Sequence, residues 1–203
     1  MTYDFLIDAY ATERLKVLSV WSEFADDDLP VRPNAGDARG RSVLEHMVHQ
    51  CVSEDTWFRT MLGIDVEAAP LPEREVRIAF IDRYAEHSGM RLERLRHTDE
   101  TWWQTEATFF DVRRSRAWIM LRRLTHTAHH RGQQMAMLRM LGRDLHSTYG
   151  PTADTGGLAQ HGGVTIYAYD NVDALIESEA SGGRKSLLRR PNGAVTERPT
   201  GAC

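Results

Sequence analysis

The residues with the types and spacing to do chemistry are concentrated in one run, Ala117 to Gly142, AWIMLRRLTHTAHHRGQQMAMLRMLG, and within it in His126, His129, His130, Arg131, Gly132 and Gln133. Apolar side chains recur there at helical spacing: Ile119, Leu124, Met137 and Leu141, with Leu121, Ala128, Met135 and Leu138 on an adjoining stripe. Gly142 stands where a helix stops. Residues four apart on a helix are stacked neighbours, so His126 and His130 project the same way with Cβ atoms about 5–6 Å apart. That is the spacing of two ligands of one metal ion. His129 is rotated about 100° from His130 and does not readily share the site. A helical histidine is ordinarily solvated, but this pair shares its face with Ile119, Met137 and Leu141, which should turn it inward. A buried polar group without a partner costs about 1–3 kcal/mol. One shared metal would satisfy both imidazoles, and a third ligand must come from elsewhere in the chain.

Four amphipathic patterns position this run. Residues 3–25 carry Phe5, Leu6, Ala9, Tyr10, Val17, Val20, Trp21 and Phe24 on a broad helical stripe. Asp26 to Arg41, with its prolines and glycines, reads as a loop. Ser42-Val43-Leu44-Glu45 has the form of a capping box, in which the serine and glutamate side chains each satisfy a free backbone N–H, and it opens a second helix over 42–62. Its stripe includes Val48, Cys51, Val52, Phe58 and Leu62, and His46 and His49 lie on or beside it. Either is positioned to be the third ligand. A third helix is predicted over 73–97, with His87 and His97 at its surface or end, and a fourth over 112–142. The intervening Trp102, Trp103, Phe109 and Phe110 read as an aromatic cover, which either closes one end of the core or is shared between two subunits. Residues 143–165 are turn-rich with loop histidines His146 and His161, a short helix is expected within 166–182, and 183–203 reads as a disordered tail. The expected fold class is therefore all-α: a four-helix up-down-up-down bundle over residues 1–165 with a turn-rich C-terminal extension.

Composition narrows the function. The chain has 203 residues, 41% of them hydrophobic, a formal charge of −4 and only two cysteines. Nucleic-acid binding rests on clustered Lys and Arg contacting phosphates, which an acidic balance does not favour. No apolar run approaches the ~18 residues of a membrane span, and the acidic N-terminal pattern is not that of a signal peptide, so the cytoplasm is the expected location. Cys51 and Cys203 make neither a disulfide framework nor a zinc ribbon. Locally, Arg113, Arg114, Arg116, Arg122, Arg123 and Arg131 make the long helix basic, and Arg122 stands one turn before His126, where it suits an anionic small molecule.

The segment His126-Thr127-Ala128-His129-His130-Arg131-Gly132-Gln133 resembles the His-x-x-His-His-Arg-Gly-Gln signature of the DinB-like proteins, the YfiT-like metalloenzymes. FFDVRRSRAW before it and LRMLGRDLHSTYGPTADTGG after it support the likeness, which covers most of residues 1–160. In SVLEHMVHQCVSEDTW the resemblance selects His49, seven residues past the capping Ser42, over His46. It then implies that His49, His126 and His130 bind one divalent metal, zinc first and nickel second. It also implies homodimers, and an enzyme acting on a small-molecule substrate: a transferase using a low-molecular-weight thiol as co-substrate, or a hydrolase using water at the same site. Arg122 would pair with a carboxylate of the thiol, and Gln133 would orient a ligand or a bound water. The alternative is a non-catalytic, stress-induced dimer in which the metal is a structural staple or sensor.

Overall fold

The periodic apolar patterns fold as helices in the computed structural model, which describes residues 2–182. The tail expected from residue 183 lies outside the described residues. Helix α1 spans Asp4–Ser22 and buries Leu6, Tyr10, Val17, Leu18 and Trp21 along one side. Helix α2, Val43–Trp57, starts at the capping box: the Glu45 N–H donates to Ser42 Oγ at 3.2 Å and the Ser42 N–H to Glu45 Oε2 at 2.9 Å. It runs on as one π-helical turn, Phe58–Leu62, and stops at Gly63, whose φ of 72° lies in the left-handed region that glycine tolerates. Helix α3 is Arg77–Arg96 and a short α4 is Glu100–Gln104. Strands β1, Glu106–Phe109, and β2, Val112–Ser115, form an antiparallel hairpin with Phe109 opposite Val112. Helix α5, Arg116–Met140, begins where Ser115 Oγ accepts the Trp118 N–H. It ends at Gly142, φ 67°, with the Arg143 N–H bonded to the Leu138 carbonyl at 2.9 Å. After two short 3-10 turns, α6, Val172–Ala180, is capped by Asn171. No helix among the described residues is long and apolar enough to cross a membrane.

The four long helices make a bundle, but its topology is not the expected up-down-up-down. Arg14 reaches Ser88 and the Ala85 carbonyl while Trp21 rests on Tyr84 and Phe80, so α1 and α3 are antiparallel. Tyr10 meets Glu54 and Phe58, and Trp21 shares a core with Val43 and Met47, so α2 also runs against α1. Val43, Met47 and Cys51 pack in one core with Phe80 and Ile81, and Phe58 and Leu62 pack in the other with Leu92 and Leu95; α2 and α3 are parallel. Helix α5 runs with α1, since Leu6 and Ile7 share a cluster with Ile119 and Met120, and Val17 and Leu18 with Met137 and Leu138. The order is up-down-down-up. The physical reason is the connection between Leu62 and Arg77: its fourteen residues can span up to about 46 Å when extended. That exceeds the length of α3, about 30 Å for twenty residues.

The other local departures have equally local causes. The fourth helix starts at Arg116, because residues 112–115 pair with β1. His87, expected at the surface, is 2% exposed, with Arg83 Nη1 at 3.2 Å from its Nε2. His146 lies in a loop but is buried, 3.4 Å from Glu23. Val52 and Leu121, read as inward apolar positions, are exposed.

The bundle holds two apolar cores with a polar layer between them. One core gathers Trp21, Phe24, Val43, Met47, Phe80, Ile81, Met137 and Leu138; the other gathers Leu6, Tyr10, Phe58, Leu62, Leu95, Trp103, Ile119 and Met120. On α1 the residues between these levels include Glu13, on α2 Glu54 and Asp55, on α3 His87, Ser88 and Arg91, and on α5 His130 and Arg131, all buried. The charges among them are paired: Tyr10 and Tyr84 donate to the two oxygens of Glu54 at 2.7 and 2.8 Å, Arg91 pairs with Asp55 at 3.0 Å, and Arg131 pairs with Glu13. Buried charge is tolerated when it is paired in this way.

Candidate metal centre

His49, His126 and His130 meet at the α2–α5 face of this polar layer. Each offers a ring nitrogen, and those nitrogens all lie within 4.8 Å of one another. Ring centroids are 5.3 Å apart for His49 and His126, 4.5 Å for His49 and His130, and 4.5 Å for His126 and His130. His126 and His130 are brought together by the four-residue helical spacing, and their Nε2 atoms are 3.2 Å apart. His49 joins them because α2 runs antiparallel to α5, with Arg123 Nη1 donating to Ser53 Oγ at 3.0 Å one turn further along. His130 is buried; His49 and His126 are half-buried and form the solvent side of the site.

The hydrogen bonding suits a cation. Gln133 Oε1 lies 3.0 Å from His130 Nδ1 and, as an amide oxygen, can only accept; this fixes the proton on Nδ1 and leaves the His130 Nε2 lone pair facing His126. Without an ion, His126 Nε2–H donates to that lone pair at 3.2 Å; with the His126 proton on Nδ1 instead, both Nε2 lone pairs would face one cation. The three-His group could therefore hold a metal ion, and the donor set of neutral imidazoles is that of first-row divalent ions. All three are held neutral. Burial, reinforced by Arg123 and the other imidazoles, lowers the His126 pKa to about 3, and burial with His49 nearby lowers that of His130 to about 4. Burial, then Arg41 and Arg123, lowers His49 in the same direction.

The surroundings include Trp57, at the position where the resemblance implies an aromatic, and one group that sequence reasoning did not place, Arg123. Trp57 lies nearly parallel to the His126 ring at 5.6 Å and carries the Arg123 guanidinium 5.6 Å from its own centroid. Of the neighbours Arg122 and Arg123, it is Arg123, only 1% exposed, that turns inward, bonded to the hydroxyls of Ser53 and Thr127. It stands three residues before His126, a spacing as good as the four of Arg122, so the signal was there and the choice between neighbours was not. Arg122 is exposed, with Nη1 3.3 Å from Thr125 Oγ1. His46 is buried with its ring 5.5 Å from that of His130, and His129 is exposed at 5.0 Å from it; neither belongs to the convergent group.

The same chain region is what other proteins share. The family model described as "DinB family" matches residues 5–157, which takes in all three histidines. The crystal structure of a DinB-like protein from Bacillus cereus ATCC 10987 superposes with a TM-score of 0.63 at 16% identity, covering 71% of this chain and 95% of that one, a likeness of fold. No curated protein matches the chain. A match over three quarters of the sequence, on a helical bundle carrying the His-rich segment at its polar layer, identifies the chain as a member of the DinB family.

Proposed function

We propose that His49, His126 and His130 hold one divalent metal ion, zinc first and nickel second, at the centre of an enzyme that acts on a small electrophilic substrate. The favoured reaction is transfer of a low-molecular-weight thiol; hydrolysis is the same chemistry with water as nucleophile. The observation that carries this reading is the convergence of three neutral imidazoles within 4.8 Å, with two of the rings reaching the solvent side. When bound, such an ion lowers the pKa of the thiol or water it takes up, so that the nucleophile is anionic near neutral pH. The chain's own residues do the rest. Gln133 fixes the His130 tautomer, Trp57 and Arg123 hold the His126 ring, and Arg123 places a buried positive charge beside the site, where it favours an anionic nucleophile. To Arg122, exposed on α5, we assign a carboxylate of the thiol. The alternative of a structural metal requires a fourth protein ligand, and among the described residues the convergent group has three.

Metal analysis of the purified protein, followed by thiol conjugation to a generic electrophile, tests the proposal. His49→Ala, His126→Ala and His130→Ala should each weaken metal binding by more than about a hundredfold, beyond what is usual for losing an outer-shell partner. His129→Ala should leave it nearly intact. The assignment fails if His129→Ala abolishes binding while His130→Ala does not. The enzymatic reading fails if the loaded protein conjugates no thiol and hydrolyses nothing offered.

A further inference from the structure

An aromatic wall leads away from the three-His group to the tip of the β1–β2 hairpin. It starts at Trp57 on His126; Phe109 then meets the Trp57 ring edge-on at 5.2 Å, Phe110 at 6.1 Å, and Phe109 also meets Trp118 at 5.0 Å. Trp57 itself is covered, but the outer rings are not: Phe110 is 66% exposed, and Val112, Trp118 and Leu121 are exposed as well. Phe110 also has a φ of 53°, a left-handed backbone that a bulky residue rarely adopts. Closing the end of the core does not need such a residue there, since Trp103 is already fully buried and stacks on Tyr3 at 5.8 Å. A strained, exposed ring next to a candidate site is the pattern of a ligand contact.

The charges around the wall choose its occupant. Arg113 is taken by Glu106 at 3.2 Å. Arg114 lies over Trp118 at 5.4 Å and bonds a backbone carbonyl, and Arg122 bonds a hydroxyl; neither pairs with a carboxylate among the described residues. Asp111, at the tip, is the opposing acidic residue. A two-fold contact between copies through this face would set like arginines close together, whereas an organic anion with an apolar body meets both features.

We propose that the hairpin wall of Phe109, Phe110 and Trp118, with Arg114, is the specificity-determining subsite for an apolar organic anion, the electrophilic substrate, whose reacting end reaches the three-His group. The proposal rests on the site reading given under the proposed function, and it deepens that reading by naming the substrate class. The aromatic rings take the body and Arg114 the charge, while Arg122 is left to the carboxylate of the thiol.

The test uses the full chain, with and without zinc, and three probes: phenylbutyrate, butyrate and phenylbutylamine. Binding is read by calorimetry and by tryptophan fluorescence. Phenylbutyrate should bind about tenfold or more tighter than either of the others, the scale of one well-packed aromatic contact. Phe110→Gly should lose about that factor while its melting temperature holds or rises, because glycine relieves the left-handed backbone. Equal affinity for the three probes, or unchanged binding in Phe110→Gly, overturns the proposal. So does sedimentation showing that Phe110→Gly turns a dimer into a monomer, which would make the wall a subunit contact. Phenylbutyrate binding in a chain that takes up no metal would overturn the metal reading and leave the subsite standing. Zinc binding without phenylbutyrate binding would do the reverse.

Discussion

At the scale of single residues, the site depends on keeping imidazoles neutral, and that has a consequence for stability. The pKa of His126 is lowered from 6.5 to about 3, and those of His46 and His130 to about 4, in each case chiefly by burial. In the unfolded chain these groups take up protons near 6.5, and in the folded chain they do not. The unfolded state thus binds more protons between these limits, and stability rises with pH across them. The metal-free protein should therefore lose stability as pH falls from about 6.5 towards 4, and the slope should shrink in His126→Ala. Urea midpoints at a series of pH values measure this; a flat profile between those limits would contradict the burial of the imidazoles. The same residues show what was legible in the sequence. His126 and His130 follow from a four-residue spacing on an apolar face. His49 did not follow from spacing, because His46 lies three residues before it on or beside the same stripe; it took the resemblance to a family to choose it. Arg123 was missed in favour of Arg122 because adjacent helical positions differ by a rotation that an apolar pattern fixes only coarsely.

At the scale of elements, the helices were legible and their directions were not. Periodicity and caps are local, and the capping box at Ser42 predicts the start of α2 to the residue. Direction is set by how far a connection can reach, and the segment between Leu62 and Arg77 carries prolines that suggest a turn without saying that the chain crosses back along the bundle. The hairpin was missed for a related reason: β1 alternates polar and apolar residues over only four positions, and its partner β2, Val112–Ser115, does not alternate at all. The cap also has an energetic signature. Ser42→Ala removes the acceptor for the Glu45 N–H one turn before His46 and His49, and should cost about 1 kcal/mol in chemical denaturation. Ser42→Thr should recover most of it. Equal stability of all three proteins would mean that tertiary packing, and not the cap, fixes the start of α2.

At the scale of the whole molecule, the segment after α5 belongs to the bundle's own core. Leu145, Ala168, Tyr169 and Leu175 lie in one cluster with Trp21, Phe24 and Phe80, and Arg77 ties α3 to Glu179 of α6 at 2.7 Å. Composition hid this, because a turn-rich stretch shows no periodicity even when a few of its side chains are deeply buried. Helix α6, nine residues long, is too short to hold its shape alone and takes its stability from docking on α1 and α3. If it is part of the same cooperative unit, emptying its main anchor must destabilise everything. Leu175 is fully buried. Leu175→Ala should cost about 2–5 kcal/mol, which for a chain of this size lowers the melting temperature by roughly 5–15 °C. The loss should appear in one transition, with helix content and tryptophan fluorescence falling together, since Trp21 shares the cluster with Leu175. Two separated transitions, or a melting temperature unchanged by the substitution, would instead show α6 to be a unit that undocks without disturbing the helices that carry the histidines.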